Sequence, residues 1–390
     1  MRSIRDIDLS GKRVLMRVDF NVPMDKDGEI LDDNRIQSAI PTIEYLVKQN
    51  AKVILMSHLG RPKGRESKYS LKPVAQYLSR LINGPVIIAD DCIGSEVEEK
   101  AQELKPGEVL MLENVRYHEE EEKNNPDFSK KLALLGDIFV NDAFGTAHRA
   151  HSSTAGVADY LPSYAGLLVE NEVKMLKGVI EHPESPRMAI LGGSKVYDKL
   201  GLINNLLDKM DVIVIGGGMA NTFLKAKGIN VGKSILEKDR IDEATELLKE
   251  AEKKDTRILL PLDVVIADEV SEKAQGQVVD VLEVPDDKMI LDIGPKTIEE
   301  YSKEILKART IIWNGPLGVY EYDQFAKGTE EVAKKLADSP AVSVIGGGDS
   351  AAAVHHLGLE KNITHISTGG GATLEFLEGK LLPGVAVCGV

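Results

Sequence analysis

The chain has 390 residues, 43% of them hydrophobic and 28% charged, with a formal net charge of −14 at pH 7. That length exceeds what one hydrophobic core usually organises, so two domains are expected, and the composition is that of a chain able to fill both cores. The acidic balance argues against general nucleic-acid binding, which needs a broad basic surface, and no apolar run is long enough to span a membrane.

The first residues, Met1-Arg2-Ser3-Ile4-Arg5-Asp6, lack the apolar stretch of a secretory leader, so a cytoplasmic protein is expected. Cys92 and Cys388 stand far apart and in no C-x-x-C pair, which points to neither a disulfide framework nor a thiolate zinc site. Apolar runs at 13–18, 52–56, 86–89, 109–112 and 137–140 alternate with helix-compatible segments at 34–50, 72–82 and 127–135. Short, continuous apolar strands separated by helices predict a parallel sheet covered on both faces. The acidic run Glu119 to Glu122 reads as a solvated loop. Residues 166–182 carry Leu168, Val173, Leu176, Val179 and Ile180 at helical spacing and end near Pro183, which predicts a helix linking two domains. The alternation restarts at 187–191, 212–215, 257–260, 289–291, 310–313, 341–345 and 363–367, giving a second α/β unit.

In open α/β sheets ligands bind at the carboxyl edge of the strands, and the first-half strands end in polar residues. Asp19 and Asn21 follow the first, Ser57-His58-Leu59-Gly60-Arg61 the second, Asn114 and Arg116 the next, and Asn141 to Arg149 another, while Arg35 opens the first helix. Ten of the fourteen arginines lie before residue 165. Several guanidiniums converging on one edge repel one another unless an anion lies between them, and their planar forks suit phosphate and carboxylate. A small, multiply anionic ligand is expected, with His58 as its hydrogen-bond or cationic partner. His148 and His151, three apart, lack the remaining ligands of a metal site.

In the second half four strands run into glycines, at 192–193, 216–218, 346–348 and 369–371. Glycine lets backbone amides at a helix N-terminus approach phosphate, so a nucleotide lying against backbone is expected. Ser350 could cap the helix after the third cluster, and Asp349 could hold a cation beside the phosphate. Gly228 to Ser234 is no P-loop, because three residues rather than four separate its glycines. Lys195 and Lys199 would share a helix face if a helix starts there, where their charge suits a transferring phosphoryl group. Glu321, after the rigid turn at 313–318, could accept ribose hydroxyls.

RVDFNVP (17–23), SHLGRP (57–62), NDAFGTAHRAHSS (141–153), GGSKVYDK (192–199), GGGMA (216–220), WNGPLGVYE (313–321), GGGDS (346–350) and STGGGA (367–372) occur in the order found in the phosphoglycerate kinase family, which the chain resembles over essentially its full length. The resemblance implies two Rossmann-like domains, each a mostly parallel sheet with helices on both faces. Residues 1–165 with 373–390 would bind 3-phosphoglycerate, 166–182 would link, and 183–372 would bind the magnesium nucleotide. It places Asp19, Asn21, Arg35, His58, Leu59, Gly60, Arg61, Arg116 and Arg149 on the acid substrate. Lys199, Gly217, Leu291, Asn314, Glu321, Gly347, Gly348, Asp349 and Ser350 fall to the nucleotide, with Asp349 toward Mg2+. Arg35, Lys195 and Lys199, with amides near 346–350 and 369–371, would serve the group transferred between 1,3-bisphosphoglycerate and ADP. A monomer that closes as a hinge, without nucleic-acid or membrane partners, is expected. A nicotinamide-dependent dehydrogenase would also explain glycine-ended strands, but the G-x-G-x-x-G fingerprint is poor. A two-lobed anion-binding protein leaves Lys195, Lys199 and Asp349 unexplained.

Overall fold

A computed structural model describes all of residues 1–390. The chain divides into two compact units, Met1–Lys174 with Leu381–Val390, and Met175–Lys380.

In the first unit the order is β1 (Arg13–Arg17), α1 (Asn34–Lys48), β2 (Lys52–Met56), α2 (Lys72–Leu81), β3 (Val86–Ile88), α3 (Ser95–Glu103), β4 (Val109–Met111), α4 (Pro126–Ala133), β5 (Ile138–Asn141) and β6 (Ser163–Ala165). The six strands form one parallel sheet in the order β3-β4-β2-β1-β5-β6. Both faces are buried, which is why the strands read as continuous apolar runs. Val14 and Met16 pack with Ile43 and Leu46 of α1 and Leu78 of α2, whereas Leu15 between them packs with Val97 of α3 and Leu132 of α4. The helix starts are local: Asn125 Oδ1 accepts the Phe128 N–H at 3.1 Å, and Pro126 occupies a first-turn position that needs no donor.

α5 (Leu167–Glu181) crosses the division, which falls between Lys174 and Met175. The second unit continues with β7 (Arg187–Leu191), α6 (Leu200–Leu206), β8 (Val212–Ile215), α7 (Gly217–Ala226), α8 (Ile241–Lys253), β9 (Arg257–Leu259), β10 (Asp263–Ala267), β11 (Gln277–Asp280), β12 (Met289–Ile293), α9 (Pro295–Lys307), β13 (Thr310–Asn314), α10 (Lys327–Asp338), β14 (Val342–Gly346), α11 (Gly348–His356), β15 (His365–Ile366) and α12 (Gly371–Leu377). Its main sheet is again six-stranded and parallel, β15-β14-β13-β7-β8-β9. Trp313, Ile190 and Val214 on one face pack with Tyr301 and Ile305 of α9 and Leu336 of α10.

The sequence alternation places the run at 289–291 among the strands of this unit, but it does not join the main sheet. It belongs to β12, which pairs antiparallel with β10 in a separate sheet, β11-β10-β12. The chain also stays with the second unit to Lys380, past residue 372, because Asn205 of α6 donates to Leu377 O of α12 at 2.6 Å. The last ten residues, with α13 (Pro383–Ala386), return to the first unit. No helix is long and apolar enough to cross a membrane, and both cysteines are free and buried.

Candidate active site

Because all strands of the first sheet are parallel, the segments after β1, β2, β4 and β5 leave from one edge. There Asp19 Oδ1 accepts Arg35 Nη1 at 3.2 Å and the Asn21 N–H at 3.1 Å, and Arg35 Nη1 also donates to Asn21 O at 2.9 Å. Asn21 Oδ1 accepts the Gly60 N–H at 2.9 Å, and Gly60 O accepts Arg116 Nη1 at 3.0 Å. Asn114, fully buried, ties the same loops: Oδ1 takes the N–H groups of Leu59 and Arg116, and Nδ2 donates to Leu59 O at 2.8 Å. Asp19, Asn21, Arg35, Gly60 and Arg116 thus share one hydrogen-bonded network, with Leu59 held beside it. Arg61 and Arg149 are exposed on loops of this edge and both act electrostatically on Arg116.

His58 is 4% exposed, and its Nδ1 lies 3.0 Å from Nη2 of Arg17, which is 1% exposed. Burial and then the neighbouring arginines push the His58 pKa well down. The ring is therefore neutral, a hydrogen-bonding group and not the cation the sequence reading allows. Burial likewise lowers His151, to about 4. The acidic run is no solvated loop at Glu121, which is fully buried with Oε1 accepting the Ser153 N–H at 2.7 Å. Nothing in a row of four glutamates distinguishes the one that turns inward.

In the second unit a cavity of about 270 Å³ is lined by Ala220, Leu291, Leu317, Val319 and Glu321. A second, of about 230 Å³, is lined by Lys195, Lys199, Asn314, Gly347, Gly348, Asp349 and Ser350. Gly193, Ser194, Pro316 and Asp349 border both, so an apolar recess adjoins a polar one. Gly217 lines the first cavity. Its φ of +70 and a virtual Cβ only 2.7 Å from Gly193 O show that backbone packing also requires glycine there.

Lys199 Nζ bonds Asn314 Oδ1, and burial lowers its pKa against the pull of Asp198, Asp349 and Glu378. No α-helix places the two lysines on one face: a 3₁₀ turn spans Tyr197–Lys199 and α6 begins only at Leu200, leaving Lys195 exposed and Lys199 half-buried. The glycine-rich turn allows Gly347, at φ +94, to cap α11, so Ser350 is not the cap. Ser350 is fully buried, and its Oγ accepts the Gly315 N–H at 2.7 Å, holding the turn after β13. The Gly369 amide, expected to face the transferring group, donates instead to Ser367 Oγ at 3.2 Å. Asp349 is exposed at the start of α11 near Tyr320, a neighbour that sequence spacing does not reveal, whose phenol pKa is raised by burial and then by the Asp349 charge.

The sequence model of the family described as phosphoglycerate kinase matches residues 4–380. The phosphoglycerate kinase of Dictyoglomus turgidum is 56% identical over 385 residues, covering 98% of this chain and 97% of that protein. That of Borrelia hermsii is 53% identical over 388 residues, 99% of each. The solved phosphoglycerate kinase of Coxiella burnetii superposes with a TM-score of 0.92 at 44% identity, over 99% of this chain and 98% of that one. That of Pyrococcus horikoshii gives 0.85 at 39%, over 100% and 98%. With two parallel-sheet units, an arginine-lined edge in one and paired apolar and polar recesses in the other, the chain belongs to the phosphoglycerate kinase family.

Proposed function

We propose that the chain catalyses the reversible, Mg2+-dependent transfer of a phosphoryl group from 1,3-bisphosphoglycerate to ADP, giving 3-phosphoglycerate and ATP, by direct in-line transfer with domain closure, as a cytoplasmic monomer. The observation that carries this reading is the pair of adjoining recesses in the second unit, which suit the two ends of a nucleotide. Leu291, Leu317 and Val319 offer an apolar wall to a base, and Glu321 at its rim offers a carboxylate to ribose hydroxyls. Lys195, Lys199, Gly347 and Gly348 line the polar recess where phosphates would lie, at the N-terminus of α11.

In the first unit Asp19, Asn21, His58, Arg61, Arg116 and Arg149 would hold the acid substrate, with Leu59 and Gly60 shaping its loop. Arg35, already oriented by Asp19 and Asn21, would meet the transferring group together with Lys195 and Lys199. No covalent intermediate is needed, because a loose phosphoryl transition state is served by positioning and by cations.

A single exposed carboxylate bordering both recesses fits Mg2+, which takes few protein ligands and keeps phosphate oxygens and water. Asp349 would hold it, and Mg2+ bound with the nucleotide would neutralise phosphate charge. The test is ATP formation from ADP and 1,3-bisphosphoglycerate by the purified chain, with magnesium and after chelation. Magnesium-dependent ATP is expected; its absence would end this reading.

A further inference from the structure

Beneath the arginine-lined edge of the first unit, Glu121 has no exposed surface. Its Oε1 accepts the Ser153 N–H at 2.7 Å, while Oε2 is buried with no hydrogen-bond partner. A buried carboxylate oxygen without a donor is costly, so its charge must be compensated through space. Burial raises the Glu121 pKa, and the guanidiniums of Arg17, itself 1% exposed, and of Arg116 pull against that rise and favour the charged form.

Hydrogen-bond directions along the contacts that follow are forced, because a guanidinium can only donate. Arg17 Nε donates to Ser153 Oγ at 2.7 Å, Nη1 to Val18 O at 2.5 Å, and Nη2 to His58 Nδ1 at 3.0 Å. Glu121 Oε1 fixes Ser153 through its N–H, and Ser153 in turn offers its hydroxyl oxygen to Arg17, so the carboxylate positions the guanidinium through one residue. At the other end, a ring nitrogen that accepts carries no proton, so the proton of neutral His58 resides on Nε2.

We propose that Glu121 is a positioning residue that, through Ser153 and Arg17, locks His58 as the Nε2–H tautomer and so presents one N–H donor to the anionic acid ligand. The role toward the ligand rests on the reading of this edge as the acid site; the locked tautomer does not. Glu121 has a second effect in the same direction. It offsets part of the charge of Arg17, so the guanidinium is held against the imidazole instead of being drawn out toward the anion.

The test is 15N NMR of the histidine rings in the full chain near neutral pH, with His58 assigned from the spectrum of His58→Gln, together with steady-state kinetics. The unmodified chain is expected to show His58 as Nε2–H. Glu121→Gln, which keeps an acceptor for the Ser153 N–H but not the charge, and Ser153→Ala, which removes the hydroxyl, should both give mixed tautomers. Each should raise KM for 3-phosphoglycerate by about tenfold, the scale of one well-placed hydrogen bond, and leave KM for ATP unchanged. An Nδ1–H ring or an imidazolium in the unmodified chain overturns the proposal. So does an unaltered His58 signal in both variants, or an equal rise in both KM values. If Glu121→Gln does not fold, the unmodified spectrum and Ser153→Ala decide. If 3-phosphoglycerate fails to bind the unmodified chain while the variants still lose the tautomer, the acid-site reading fails and the lock stands.

Discussion

A Cβ at Gly315 would lie 2.3 Å from Gly192 O, and one at Gly192 would lie 2.0 Å from Pro316 O, so the turns after β7 and β13 meet backbone against backbone. Gly348 is the opposite case, with nothing within 4 Å of its virtual Cβ at the start of α11. The glycine clusters therefore have two causes, close crossing of turns and open amides, and in the sequence these look alike. Gly315→Ala, at φ +97 and against backbone, is expected to cost about 2–4 kcal/mol of folding stability. Gly348→Ala should leave stability unchanged or raise it by about 0.5–1 kcal/mol, yet weaken ADP binding by about tenfold by covering the α11 amides. Urea unfolding and calorimetric ADP titration of the two variants separate the causes; equal loss of stability at both positions would refute the distinction. The same limit applies to charge. The arginines of the edge are legible because Arg61, Arg116 and Arg149 follow strands and Arg35 opens a helix, whereas burial of Glu121 depends on the distant Ser153 segment and leaves no local mark.

At the scale of elements, strands buried on both faces announce themselves, and β1, β2, β7, β8 and β13 fall within or beside their apolar runs. What escapes is weakly patterned. In α3, Ser95–Glu103, only Val97 and Ala101 are buried on an otherwise charged helix, and in β11 Gln277 and Val278 are exposed. Helix α5 is legible from its spacing, but its anchorage is not: Asp142, fully buried after β5, accepts the Leu168 N–H at 2.9 Å through Oδ1. Burial raises the Asp142 pKa to about 7, outweighing the Thr42 hydroxyl and the Leu168 and Val169 amides that favour the charged form. Between the ordinary carboxylate range and that value, the folded chain keeps a proton that the unfolded chain has released, so this group's contribution falls as pH rises. Asp142→Asn keeps an oxygen for Leu168 and cannot ionise. Relative to the unmodified chain it should gain stability from pH 4 to pH 7, by up to about 4 kcal/mol. Urea unfolding across that range measures the difference; parallel pH profiles would show that burial of Asp142 is not the controlling term.

At the scale of the whole molecule, two α/β units and the polar carboxyl edges of their sheets follow from strand periodicity and from where polar residues end each strand. The return of the last ten residues to the first unit has no periodic signal, since its one helix, α13, is four residues long. Its basis is a small set of specific contacts. Asn141 Nδ2 donates to Gly384 O at 2.6 Å across 243 residues of sequence, and the Gly384 N–H donates to Ala147 O at 2.8 Å. Asn141 Oδ1 meanwhile accepts the Ala143 N–H at 3.0 Å, so one side chain joins the C-terminal segment to the loop that carries Arg149. Gly384 must be small: a Cβ there would lie 2.7 Å from Asn141 Nδ2 and 2.9 Å from Ala147 Cα. Gly384→Ala is therefore expected to push α13 and the 141–149 loop apart and to displace Arg149 from the arginine-lined edge. The effect should be confined to one ligand, with 3-phosphoglycerate binding weakened by about tenfold and ADP binding unchanged, because the paired recesses proposed for the nucleotide are lined only by residues of the second unit. Calorimetric titration of each ligand decides between local and global action. Equal weakening of both would mean that the C-terminal contact acts on the stability of the whole chain and not on the loop it touches.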